Sequence, residues 1–168
     1  MKIFFRIMFI CTLFFASCNS EDQVEKAGGN KSVIEISQIH LKNLAGDSVN
    51  LEQYKGKTIF LNFWATWCKP CLQEMPSIKT AMEIMNNKDI VFLFASDETV
   101  EQIESFKNSH DYNFNYVKAE NAEALNIMAL PTTFIFAPDG TLAFSEMGYK
   151  KWDDKKNIDL ILNIAKQK

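Results

Sequence analysis

Cys68 and Cys71 stand two residues apart in Phe63-Trp64-Ala65-Thr66-Trp67-Cys68-Lys69-Pro70-Cys71, directly after an apolar run from Thr58 to Phe63. Thiols at this spacing can form and break a disulfide with each other, and the attacking species in such exchange is the thiolate. An ordinary cysteine, with a pKa of about 8.5, is mostly protonated at neutral pH. A strand-to-helix junction supplies what is missing. If a helix begins at Cys68, its sulfur faces unpaired backbone N–H groups and the positive end of the helix dipole, with the Lys69 ammonium nearby. Cys68 is then the accessible attacking thiol. Cys71, one helical turn on, is the resolving thiol, which attacks a mixed disulfide on Cys68 and frees the reduced partner. Pro70 lacks an N–H that the first turn leaves unpaired anyway, and its fixed φ suits a helix.

Two blander uses of the pair fit less well. Zinc needs two further Cys or His ligands at suitable spacing, and the only histidines, His40 and His110, are isolated from the pair and from each other. No metal is expected. A structural disulfide across so short a loop would constrain the unfolded chain little, because the entropic gain grows with loop length.

The N-terminus places the chemistry outside the cytoplasm. Lys2 and Arg6 precede an apolar run from Ile7 to Ala16, too short to span a bilayer, so residues 1–17 read as an export signal. Phe15-Ala16-Ser17-Cys18 resembles a bacterial lipobox, which implies a lipid on Cys18 and a membrane tether. Phe15 departs from the usual small aliphatic residue, and ordinary cleavage or an uncleaved anchor are the alternatives. With Cys11 in the discarded segment and Cys18 lipidated, Cys68 and Cys71 are the cysteines left. Stability must come from a core, and a mature chain of about 150 residues is long enough for one domain.

Loss of Lys2 and Arg6 takes the 18 basic residues to 16 against 21 acidic ones, moving the net charge from -3 to -5. Nucleic acid is an unsuitable partner for such a chain. Residues 18–32, with Glu21, Asp22, Glu25 and Gly28-Gly29, hold almost no apolar content and read as a flexible tether to a domain at 33–168. The acidic cluster after Cys18 also resembles surface-export signals of some Gram-negative lineages.

Within the domain, alternation over Ile39–Leu44, a turn at Ala45-Gly46-Asp47-Ser48 and apolar Val49 and Leu51 predict a β-hairpin, with His40 facing solvent. Thr58–Trp64 predicts a strand buried on both faces. A helix is expected from Pro70 to about Asn86, filled by Met75, Met82 and Met85 and kinked at Pro76. A buried strand (Ile90–Ala95), a helix (Val100–Phe106), a short strand (Phe114–Val117) and a helical turn (Ala122–Met128) follow. A hairpin of Thr132–Phe136 and Thr141–Met147 about Ala137-Pro138-Asp139-Gly140, and a helix from about Asp153 to Ala165, close the chain. The alternation implies an α/β fold whose central mixed sheet pairs parallel in the middle and antiparallel at an edge, flanked by helices.

Several separated segments together resemble one known family. Lys55-Gly56-Lys57, Leu61-Asn62-Phe63-Trp64-Ala65-Thr66-Trp67-Cys68-Lys69-Pro70-Cys71, Glu74, Pro76, Leu130-Pro131-Thr132-Thr133-Phe134 and Asp139-Gly140 are similar to the TlpA/ResA group of membrane-tethered, thioredoxin-like thiol-disulfide oxidoreductases. The resemblance covers roughly His40 to Lys168. It implies a thioredoxin fold with an N-terminal β-hairpin extension. It also implies that Pro131 is a cis proline beside the cysteines, bringing the Leu130 backbone where an extended substrate can pair with it. Asn62 stands where thioredoxin keeps a buried aspartate. In this family the acid is instead the glutamate three residues after the second cysteine, here Glu74, which would take the proton of Cys71 directly or through water, burial raising its pKa toward a useful range. Its blander use is a solvated acid stabilising the first helical turn. Trp67 would lie on the pair as an apolar platform, Trp64 and Trp152 would pack, and Ala129 departs from a common glycine.

The resemblance further implies a cofactor-free cycle in a lipid-anchored, periplasm-facing monomer. A membrane thiol-electron donor would supply reducing equivalents, and disulfides of exported proteins, haem-attachment cysteines of apocytochrome c among them, would be the substrates. Two alternatives remain. A peroxiredoxin-like peroxidase would want threonine and proline where Ala65 and Leu61 stand. A metallochaperone or holdase would bind cysteine-containing clients without turnover.

Overall fold

The computed structural model describes residues 34–86 and 89–167. The export signal, Cys11, Cys18 and the tether up to residue 32 lie outside the described residues. The elements are β1 (Leu41–Lys42), β2 (Ser48–Val49), β3 (Thr58–Phe63), α1 (Lys69–Met85), β4 (Ile90–Ser96), α2 (Val100–Ser109), β5 (Tyr116–Ala119), β6 (Thr132–Phe136), β7 (Leu142–Met147) and α3 (Lys155–Ala165), with 3-10 turns at Ile36–Gln38, Leu51–Tyr54 and Glu123–Leu125.

All six residues of β3 are buried, as its apolar run requires of a strand covered on both faces. It pairs parallel with β4 (Phe60 opposite Phe92) and β4 pairs parallel with β5 (Ala95 opposite Val117). Two successive right-handed crossovers in one direction put α1 and α2 on the same face. There Met75, Ile78, Ile103, Phe106 and the α3 residues Ile161 and Ile164 join Phe60, Phe92, Phe94 and Trp152 in one core. The opposite face is covered by the N-terminal segment and the 3-10 turns, through Ile39, Leu51 and Leu125 on Leu61, Leu93 and Phe134. Antiparallel β6 and β7 complete a seven-stranded sheet of order β2-β1-β5-β4-β3-β6-β7. Gly140 turns the last hairpin at φ +88°, a left-handed conformation that glycine adopts without strain.

Three expectations shift. The N-terminal hairpin keeps only two residues in each strand, because its place is set by pairing with β5 (Leu41 opposite Ala119) and not by its own alternation. The strand expected at Phe114–Val117 lies at Tyr116–Ala119. Phe114 stacks on Phe94 at 3.9 Å from the preceding loop, and that core contact holds it outside the ladder. The helical turn expected over Ala122–Met128 is a three-residue 3-10 turn closed by Asn126 in the left-handed region. Helix α1 runs unbroken from Lys69 to Met85 with Pro76 inside it. Both histidines are exposed, and His110 stacks on Phe106 at 3.9 Å. No group of three or more metal-ligating side chains is found among the described residues.

Candidate active site

Cys68 is the N-cap of α1, with extended backbone (φ -79°, ψ 93°), and its Sγ accepts the Cys71 N–H at 3.2 Å. A capping sulfur that takes an orphan N–H of the first turn is set up to carry negative charge. Cys68 and Cys71 are joined as a disulfide. The sulfur expected to be accessible is not so in this oxidised state: Cys68 is 2 % exposed and Cys71 1 %. Capping folds the Cys68 side chain back over the helix, and Trp67 just before it stands 72 % exposed.

Glu74, one turn beyond Cys71, is 1 % exposed, which excludes the solvated first-turn role. Its Oε1 accepts the Asn62 Nδ2–H at 2.7 Å and its Oε2 the Lys150 backbone N–H at 3.1 Å. Burial, which penalises the charged form, pushes its pKa up from 4.5 to about 7. The Lys150 N–H and the Asn62 amide oppose the rise. So do a weaker pull from the Trp152 indole, whose N–H falls short of a formed hydrogen bond, and the Lys150 ammonium. A carboxyl so poised exchanges protons near neutral pH.

Asn62 is the neutral donor that holds this carboxyl, since the same Nδ2 also reaches Thr133 Oγ1 at 3.0 Å and ties β3 to β6. Replacing Asn62 with leucine removes a hydrogen bond to the ionised form, worth about 1.5–3 kcal/mol. The Glu74 pKa is then expected to climb by about one to two further units. The check is the pH profile of disulfide exchange, whose inflection should move upward in the variant.

The loops around the pair are tied down. Glu98 accepts from the Thr66 N–H (2.7 Å) and hydroxyl (2.6 Å), and so anchors the turn that leads into Cys68. The Leu130–Pro131 peptide is cis. Pro131 O accepts the Gly148 N–H at 2.7 Å, and Ala129 O accepts the Thr132 hydroxyl at 2.6 Å. Among the described residues the Leu130 backbone has no hydrogen-bond partner. Trp67 and Leu130 line one groove of about 290 Å³. Sequence reasoning missed Glu98, whose Ser96-Asp97-Glu98-Thr99 context signals only a helix start, and Lys150. The signal for Asn62 was there: one polar residue inside an apolar strand.

Residues 35–145 match the AhpC/TSA family. The chain is 38 % identical over 128 residues to the thioredoxin-like protein YneN of Bacillus subtilis, a match covering 71 % of this chain and 75 % of that one. The chain belongs to the ResA/TlpA-like branch of thioredoxin-fold thiol-disulfide oxidoreductases. It is also 33 % identical over 102 residues to thiol-disulfide oxidoreductase ResA of Bacillus thuringiensis, covering 58 % of this chain and 59 % of that protein. The fold superposes on a putative thiol-disulfide oxidoreductase of Bacteroides vulgatus with TM-score 0.64 at 25 % identity, over 74 % of this chain and 90 % of that one. The capped Cys68, its disulfide partner Cys71 and the buried Glu74 lie together at the start of one helix.

Proposed function

We propose that this protein is an envelope thiol-disulfide reductase, held at the membrane by lipidated Cys18 and fed by a membrane thiol donor. Reduced Cys68 attacks a disulfide of an exported protein, forming a mixed disulfide and releasing one substrate thiolate. Cys71, losing its proton to Glu74, then attacks Cys68 Sγ and expels the second. Two electrons pass to the substrate, and Cys68–Cys71 becomes the disulfide. The observation that carries this reading is the buried Glu74 carboxyl, one turn from Cys71 and titrating near neutrality. ResA-like relatives favour an extracytoplasmic site. Among exported substrates, the motif resemblance makes apocytochrome c one candidate. No helix among the described residues is long and apolar enough to cross a membrane.

Direction rests on potential. Equilibration with glutathione should return a value more reducing than about -200 mV, and the reduced domain should reduce insulin. A potential near the about -120 mV of a dedicated oxidant overturns the reductase assignment. A second reading, peroxide reduction, draws on the AhpC/TSA match. Ala65 and Leu61 stand against it, and turnover of hydrogen peroxide would be its sign.

A further inference from the structure

The groove walled by Trp67, the residue before Cys68, combines apolar walls with carboxylates that form no ion pair among the described residues. Trp67, Ile127, Met128 and Leu130 line it, with Met128 82 % exposed. Asp97 and Glu123 lie on the same lining. Among the described residues neither carboxylate has a hydrogen bond or an ion pair, whereas the acids next to them are engaged: Glu98 with Thr66, and Glu120 with Lys42 at 2.8 Å. Lys118 shares an adjoining hollow with both acids but donates its ammonium hydrogens to the carbonyl oxygens of Asp97 and Glu98, at 3.2 and 3.1 Å, and makes no ion pair with either carboxylate. At about 290 Å³ the groove holds one long side chain, less than the space a drug-sized ligand occupies.

Resting on the exchange reading above, we propose that this groove selects extended substrate segments carrying a lysine or arginine next to the reactive cysteine. The segment pairs with the free Leu130 backbone. Its basic side chain lays an aliphatic stem on Trp67 and Met128 and places its charge against Asp97 and Glu123. An exposed indole adds cation–π attraction, and the thioether adapts to different stems. The two unpaired acids disfavour an anionic surface or an acidic flank at the same place.

The test uses three peptide disulfide dimers, identical except for lysine, glutamine or glutamate flanking the cysteine. Their rates with the reduced protein are each normalised to the rate with dithiothreitol, which removes the intrinsic effect of charge on the disulfide. The lysine peptide should react about fivefold faster than the glutamine peptide, and the glutamate peptide more slowly, with the spread shrinking at 0.5 M salt, roughly a Debye length of a few ångström. In an Asp97→Asn, Glu123→Gln double variant, shown folded by its melting temperature, the three normalised rates should converge. Equal rates in the unaltered protein, or a spread that survives in the variant, overturn the proposal. Failure to reduce any peptide overturns the exchange reading itself, and the groove assignment with it.

Discussion

Replacing Glu74 with glutamine is expected to slow reduction of a substrate disulfide by about a hundredfold, the usual contribution of a positioned general base. In the unaltered protein the resolving step needs the carboxylate, so its rate should rise with pH through about 7. The reverse reaction, in which a donor thiol opens the Cys68–Cys71 disulfide, needs the protonated acid to supply Cys71. It should fall through the same pH. Loss of both inflections in the variant, with the helix intact, identifies Glu74 as the proton carrier. Retention of the inflection near 7 would assign it to another group.

The same substitution has a thermodynamic signature. Burial raises the folded-state pKa of Glu74 from 4.5 to about 7, so between those values the oxidised fold holds a proton that the unfolded chain has released. Its stabilising contribution is complete below pH 4.5 and is lost as pH rises through about 7, amounting to on the order of 3 kcal/mol. Glutamine does not titrate, but its amide N–H would face the Lys150 N–H and cost about 1–3 kcal/mol at every pH. The difference in unfolding free energy between the two proteins, followed from pH 4 to pH 9, should therefore change across this window. A constant difference would show that Glu74 is not the group that titrates.

Cys71→Ser should abolish turnover, by on the order of a thousandfold or more, while leaving Cys68 able to attack. The Cys71 N–H that caps Cys68 Sγ belongs to the backbone and survives the change. A substrate disulfide should then accumulate as a stable adduct on Cys68, visible as a mass increase that dithiothreitol reverses. In cells the same variant should collect the natural partners. Cys68→Ser should form no adduct at comparable rates. If Cys71 proved the more reactive thiol, attack and resolution would have to be exchanged between the two, against the capping geometry.

Much of the site is legible along the chain because its chemistry is local. Cys68, Pro70 and Cys71 share one helix start, and a cap, a proline in the first turn and a two-residue gap are properties of consecutive residues. The buried strands Thr58–Phe63 and Ile90–Ser96 announce themselves as apolar runs, and Ala137-Pro138-Asp139-Gly140 announces its turn. The cis state of Leu130–Pro131 came from family resemblance, since a lone proline in sequence reads as trans.

What depends on distant partners did not show along the chain. The spacing places Glu74 one turn from Cys71 and the resemblance implies that burial raises its pKa, but the extent is set by the layers packed over it, opposed by Asn62 on β3 and by Lys150, 76 residues away. Desolvation sums over every element that excludes water, and no local pattern encodes that sum. The same holds for the edge pairing of β1 with β5, for the covered state of Cys68, and for the groove where Trp67 meets Met128 and Leu130 across more than sixty residues of chain. Local residue order thus specifies the sulfur chemistry. Packing between remote segments specifies where its protons go and what can reach it.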